Sequence, residues 1–254
     1  MKKRIQTVKI MIGLILLTGC LLPGRERIDK IWFFTYYNAQ TSGTDSVLTP
    51  ASFINLQNDG FYTSDLDEYE YGKWKKEDKT LYLASYKNKV TTIKLEYFSG
   101  SEMRISSAHM PAASFEAQPG NFKTENENPF AGENNLWRLR ATQKEKDVEI
   151  KDRLLNHMKF WELYFRWALN SSITSIDVRS TPTPIKVYGN GFALKSFEDL
   201  PGKWKSYFYD EEDCRKANEM IKSVFEKKEI AWAHTDNKYK LFISAFQQLQ
   251  QQLK

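Results

Sequence analysis

Side chains able to do chemistry are few in this chain, and they lie far apart. There are two cysteines, Cys20 and Cys214, and three histidines, His109, His157 and His234. No CxxC pair and no Cys/His cluster offers the spacing of a zinc site, so no metal centre is expected. Carboxylates gather twice, as Asp210-Glu211-Glu212-Asp213 and as Asp65, Asp67, Glu68 and Glu70. Such oxygens suit a hard divalent cation. The first run, however, stands where a helix should begin, with Asp210 as its cap and the later carboxylates at the positive end of the dipole. The second reads as the solvated face of a hairpin. A carboxylate pair for glycoside hydrolysis is set by the fold rather than by local spacing, and no motif supports one here. Neither a Gly-x-Ser-x-Gly elbow, a phosphate-cradling Gly loop nor a dinucleotide fingerprint occurs. His157 falls at the edge of an apolar helical stripe, as a core or boundary residue, and His109 beside Met110-Pro111 reads as a loop residue. No cofactor is expected.

Cys20 differs from the rest in its context. Lys2, Lys3, Arg4 and Lys9 form a positive head, Ile10 to Leu17 is an uncharged apolar run, and Thr18 and Gly19 are small. This order is that of a secretory signal over residues 1–19, too short for a span that needs ~20 apolar residues. Leu17-Thr18-Gly19-Cys20 resembles the bacterial lipobox. The resemblance implies that Cys20 becomes the first mature residue, that its Sγ carries a diacylglyceryl group, and that the new amine is acylated. Each buried CH₂ contributes roughly 0.8 kcal/mol, so several chains hold a protein on a membrane durably. Cys214 is then alone, and no intramolecular disulfide is expected.

The net charge of +5 needs the same correction. Four positives lie in residues 1–19 with no acid beside them, which leaves +1 from Cys20 onward. A basic pI would otherwise point to nucleic acid; with the signal removed, no nucleic-acid partner is expected. Residues 20–29, with Pro23 and Gly24, read as a tether.

From Lys30 the texture is β. Ile31 to Tyr37 is a run of strand formers. Phe53 to Leu56 leads into Asn58-Asp59-Gly60, a hairpin signal. Strands follow through Tyr69 to Lys75, Thr80 to Ala84, Lys89 to Phe98 and Glu102 to Ser107, and such a meander tends to close into a barrel. Phe53, Asp59-Gly60-Phe61, Gly72-x-Trp74 and Leu81-x-Leu83 resemble the successive hairpins of the lipocalin-like domains of bacterial lipoproteins, over about residues 30–108. One departure is Asp29-Lys30-Ile31-Trp32 where the usual opening is Gly-x-Trp. Phe53, Phe61, Tyr71, Trp74, Tyr82 and Tyr97 fall on β segments, and since a barrel that does not fill itself with side chains can hold an apolar ligand, these six are candidate cavity residues. The alternative is that rings this large fill the barrel themselves.

Residues 108–135, rich in Pro, Gly, Asn and Glu, read as an excursion or linker, and Trp137-Arg138-Leu139-Arg140 as a closing strand. Lys144 to Asn170 is the clearest helix, with Ile150, Leu154, Met158, Trp161, Phe165 and Leu169 at helical spacing. Short strands are expected over 173–178 and 185–188 and at Tyr207 to Tyr209. Pro201-Gly202-Lys203-Trp204-Lys205 repeats the Gly-Lys-Trp-Lys of residues 72–75 without matching flanks, which points to chance. A helix follows Asp213, and a last one places Tyr239, Phe242, Phe246, Leu249 and Leu253 along a two-heptad seam, a candidate partner surface.

The expected fold is α+β: an antiparallel lipocalin-like β-meander or barrel at 30–141, followed by a helix-rich region with a few short strands at 142–254, some of which are an alternative source of barrel strands. The expected function is that of a non-enzymatic, lipid-anchored envelope protein binding a protein partner or a small apolar ligand. It is expected on the outer membrane, facing the periplasm. A hydrolase of envelope polymers, working through carboxylates that meet in an open cleft, is the alternative.

Overall fold

Strand formers and tight turns alternate from Ile31 onward, and the chain folds accordingly. The computed structural model describes residues 27–37, 48–66, 69–108, 110–118, 128–130, 139–171, 181–188, 191–227, 235 and 237–254. The signal and Cys20, Asp67, Glu68, His109, Trp137-Arg138, the expected strand at 173–178 and His234 lie outside these. The strands are β1 (Ile31–Tyr37), β2 (Phe53–Leu56), β3 (Phe61–Asp65), β4 (Tyr69–Glu77), β5 (Thr80–Ser85), β6 (Val90–Phe98), β7 (Glu102–Ser107) and β8 (Met110–Ala117). Each pairs antiparallel with the next, and β1 pairs with β8 to close an eight-stranded barrel. Turn chemistry sets the hairpins. Gly60 takes φ +84° while Asp59 Oδ1 accepts from the Phe61 amide at 3.0 Å, and Asp78 and Asn88 occupy the left-handed region that short polar side chains tolerate.

The closing strand is β8, inside the segment expected to be a linker. Pro111 lacks an amide hydrogen, and Ala112, Ala113 and Ser114 are weak strand formers, so local propensity hides it. Barrel closure overrides propensity: Phe34 aligns with Phe115 and Trp32 with Ala117 across the seam. Leu139 and Arg140, expected in a closing strand, sit in a bend instead.

Side chains alternate faces along a strand, and here the two faces build two cores. Inside the barrel, Trp32, Ile54, Leu56, Tyr62, Leu81, Leu83, Ile93, Leu95, Met103, Ile105 and Phe115 pack together, all nearly inaccessible. On the outside of β1, β2 and β4, Ile31, Phe33, Phe53, Tyr69 and Tyr71 join a larger cluster with the helices. Helix α1 (Asp147–Asn170) lies on that flank: Phe33 meets Tyr164 at 5.3 Å and Trp167 at 4.9 Å, and Phe53 meets Phe160 at 5.1 Å between ring centroids. Glu149 accepts from the Lys146 amide at 2.8 Å and so caps its start.

Beyond it come a separate hairpin of β9 (Ile185–Tyr188) and β10 (Gly191–Leu194), one turn of helix α2 (Gly202–Lys205), and helices α3 (Glu211–Lys227) and α4 (Lys238–Leu253). The barrel draws on none of these strands. The repeated tetrapeptide adopts two conformations, strand in β4 and helix in α2. In β4 both neighbouring strands supply partners; at α2, Pro201 is the N-cap, and its carbonyl accepts from the Lys205 amide at 3.0 Å. Tyr207 to Tyr209, expected as strand, follow α2 as turn and bend.

Candidate functional site

Among the described residues, three groupings of polar side chains from distant segments are candidates for a site. The first is the junction between barrel and helices. Asp65, at the end of β3, is buried. Its Oδ2 accepts from the Tyr207 hydroxyl at 3.1 Å and pairs with Lys203 Nζ at 2.9 Å. Lys203 Nζ also reaches Thr49 Oγ1 at 3.3 Å. Asp65 was expected on a solvated hairpin face; instead it ties β3 to α2. The Tyr207 hydroxyl is pushed well above its ordinary pKa, first by burial and then by the charge of Asp65. Nearby, Arg153 and Glu145 form a buried ion pair.

His157 lies in the same region, on α1. Its Nε2 is 2.8 Å from the Leu139 carbonyl and donates to it in the neutral ring. Trp204, Tyr207 and Phe208 surround the imidazole at centroid distances of 4.9, 4.9 and 5.7 Å. Burial drives its pKa down to about 3; Arg153 adds to the fall, and the Leu139 carbonyl opposes it. A histidine kept neutral among rings is a packing residue, and not a proton shuttle near neutral pH.

The second place is inside the barrel. Tyr62, Gly72 and Ser85 align across β3, β4 and β5, with Glu70 two residues along on the same face. Tyr62 Oη, Glu70 Oε1 and Ser85 Oγ are buried and have no hydrogen-bond partner among the described residues. Lys89 Nζ stands 3.6 Å from Glu70 Oε1. Burial, and then the charge of Glu70, raise the Tyr62 hydroxyl. Gly72 is required here, since a Cβ would stand 2.0 Å from the Ala84 carbonyl oxygen.

The third is a groove of about 750 Å³ where the start of α1, the middle of α3 and the end of α4 meet, lined by Asp147, Val148, Lys151, Lys216, Met220 and Leu253 among others. Asp147 and Glu219 bring two carboxylates to it, both largely exposed.

The six residues expected around a cavity do not converge. Phe53 and Tyr71 face outward into the helical cluster, and Tyr71 stacks on Tyr86 at 4.2 Å. Phe61 and Tyr82 lie on the outer face beneath Lys73 and Lys75, and Tyr97 is exposed. Trp74 packs with the barrel's interior cluster and donates Nε1 to the Gln57 carbonyl at 2.9 Å.

The terminal seam is occupied from within. Phe242 stacks on Phe165 of α1 at 4.2 Å, Phe246 lies 6.4 Å from Trp161, and Leu249 and Leu253 are buried beside them, with Tyr239 half-buried at the edge. The run Asp210 to Asp213 serves the start of α3: Asp210 Oδ1 accepts from the Asp213 amide at 2.9 Å. No group of His, Cys, Asp and Glu among the described residues has the arrangement of a metal site. Cys214 is buried, which pushes its thiol up to about 11 and leaves it unreactive. Sequence reasoning missed the Asp65–Lys203 pair, whose members are far apart along the chain, and the Tyr62–Glu70–Ser85 group, whose alignment depends on strand register.

The molecule is thus an α+β protein, an antiparallel eight-stranded closed barrel followed by a helix-rich region with a two-stranded sheet. The sequence matches no protein-family profile and no curated protein. No described helix is long and apolar enough to cross a membrane.

Proposed function

We propose that this is a non-enzymatic, lipid-anchored protein of the bacterial cell envelope, lipocalin-like in its barrel, which acts by binding a protein partner. It is held on the outer membrane through Cys20 and faces the periplasm. The observation that carries the partner reading is the filled lumen. Trp32, Ile54, Tyr62, Leu81, Ile93, Met103, Ile105 and Phe115 are each 0% exposed, and a lumen packed this way is a scaffold rather than a container. The anchor reading rests on the order of charge, apolar run, small residues and Cys20. Labelled palmitate should enter the chain and be lost with Cys20→Ser, which should also leave the membrane fraction. A Cys20→Ser chain that still fractionates with membranes overturns the anchor.

A second reading, small-ligand binding, is favoured by Tyr62 and Ser85, whose hydroxyls have no hydrogen-bond partner among the described residues and would be satisfied by a ligand carrying donors and acceptors. Native mass spectrometry against lipids and small hydrophobic molecules separates the two, since a tight ligand removes the pure-scaffold version. The hydrolase alternative draws on Asp147 and Glu219 in the groove. Both are largely exposed, whereas a general acid needs the apolar surroundings that hold its proton.

A further inference from the structure

Among the described residues, no helix covers the outer face of β5, of β6 and of the second half of β4, Lys73–Glu77, and lysine is the commonest charged residue there. Residues 71–98 hold seven lysines, three acids and no arginine, a net +4; Lys87 and Lys89 stand in the β5–β6 turn at the far end of the barrel, and on the face itself Lys75 pairs with Glu77 at 2.8 Å and Lys94 with Glu96 at 3.0 Å. The rest of the chain from Cys20 onward therefore carries −3. On the sheet, Lys75 pairs with Tyr82 and Tyr82 with Thr92; one row along, Glu77, Thr80 and Lys94 align. Lys73, Lys75, Lys79 and Lys94 are all exposed. Aromatic and aliphatic side chains lie between them: Tyr82 under Lys75 at 5.0 Å, Phe61 under Lys73 at 5.6 Å, Tyr97 48% exposed and Val90 61% exposed.

The chain enters this same end of the barrel. Lys30 Nζ donates to the Gly100 carbonyl in the β6–β7 turn, Leu56 donates its amide to the Lys30 carbonyl, and Leu95 donates to the Lys79 carbonyl in the β4–β5 turn. Six residues lie between Cys20 and Arg27, and the seven steps span at most ~25 Å when extended. A bilayer held at Cys20 is therefore within reach of Lys79 and Lys94.

We infer that the β4–β6 face is a second membrane contact, which docks the barrel on anionic lipid headgroups. This rests on the reading that the protein works beside a bilayer. The chemistry fits headgroups because lysine is a point charge on a flexible stem, suited to scattered phosphates, whereas paired recognition of a structured ligand draws on arginine. Exposed tyrosine beside lysine is the composition that settles at a bilayer interface.

The test uses the full acylated chain in phosphatidylcholine vesicles, with and without about 30% phosphatidylglycerol. Lysine reactivity toward an amine-acylating reagent is read by mass spectrometry. Lys73, Lys75, Lys79 and Lys94 should lose at least about threefold reactivity in the anionic vesicles only, and regain it at about 0.5 M salt. Lys144 and Lys222, on the helical part, should not change. Unchanged reactivity at the four lysines in a chain that floats with the vesicles overturns the inference. So does protection by a soluble polyanion such as heparin without protection by vesicles. Flotation with the neutral vesicles reads the lipid anchor separately. A chain that fails to float with them but floats with anionic vesicles, footprinted on this face, loses the anchor and keeps the docking face. Changing Lys73, Lys75 and Lys79 together to Gln should then weaken anionic-vesicle binding by about fivefold per lysine.

Discussion

Acid should unfold this protein earlier than its carboxylates alone demand, because His157 folds only in its neutral form. Its ring is enclosed by Trp204, Tyr207 and Phe208, and its pKa is down at about 3. In the unfolded chain a histidine titrates near 6.5. The folded pKa is the lower one, so the unfolded state takes up the proton first. Stability is complete above pH ~6.5 and falls as the pH drops toward 3, by about 1.4 kcal/mol per pH unit. Between pH 7.5 and 4.5 the loss from this one residue is about 2.7 kcal/mol.

The assay is urea unfolding at half-unit pH steps, followed by tryptophan fluorescence, on the natural chain and on His157→Phe. The variant keeps a ring of similar size but strands the Leu139 carbonyl, which costs about 1–3 kcal/mol at every pH. Its stability should then vary less with pH. The stability of the natural chain minus that of the variant should fall from pH 7.5 to 4.5 by about 2.7 kcal/mol, reversing sign where the variant's loss is smaller than this, and His109 and His234 cancel because both chains contain them. Parallel pH profiles would refute the reasoning and show that the imidazole is solvated or takes its proton while folded.

Three further outcomes follow from contacts. Gly72→Ala should destabilise by about 3 kcal/mol or more, because its Cβ would meet backbone at 2.0 Å, whereas Gly100→Ala and Gly202→Ala, with nothing within 4 Å, should stay within about 0.5 kcal/mol of the natural chain in the same urea assay. Lys203→Met should cost about 3 kcal/mol in thermal unfolding by leaving Asp65 buried without its cation, and Asp65→Asn on top of it should recover much of that loss; additive losses would show that the two do not act as a pair. Asn237→Ala should cost about 1 kcal/mol and loosen the start of α4 in hydrogen exchange, since the Asn237 side chain accepts from the amides of Tyr239 and Lys240.

The parts of the fold set by local chemistry could be read from the sequence. Asn58-Asp59-Gly60 announced its hairpin because only a left-handed residue closes that turn, and α1 announced itself through its helical spacing. What could not be read depends on partners distant in sequence. Strand β8 has poor strand residues and exists because β1 needs a neighbour on its open side. Gly-Lys-Trp-Lys is strand at 72–75 and helix at 202–205, so four residues do not hold their own conformation. The Asp65–Lys203 pair joins residues that no local pattern relates, and one of them was expected to be solvated.

The aromatic residues show why the interior of the barrel was harder to read than its existence. Period two divides a strand into two faces but does not say which faces inward when both are apolar. In β5 and β6 the alternation is clean, with Leu81, Leu83, Ile93 and Leu95 inside and Thr92 and Lys94 outside. In β1 and β2 it fails: Ile31, Trp32 and Phe33 are all buried, as are all four residues of β2. An unbroken apolar run is the mark of a strand covered on both sides, and the second cover here is α1. The large rings of Phe33, Phe53 and Tyr71 belong to that outer contact. One flank of the barrel is thus committed to the helices, and the opposite flank, where lysine replaces phenylalanine on the outward positions, is the one left to meet something outside the molecule.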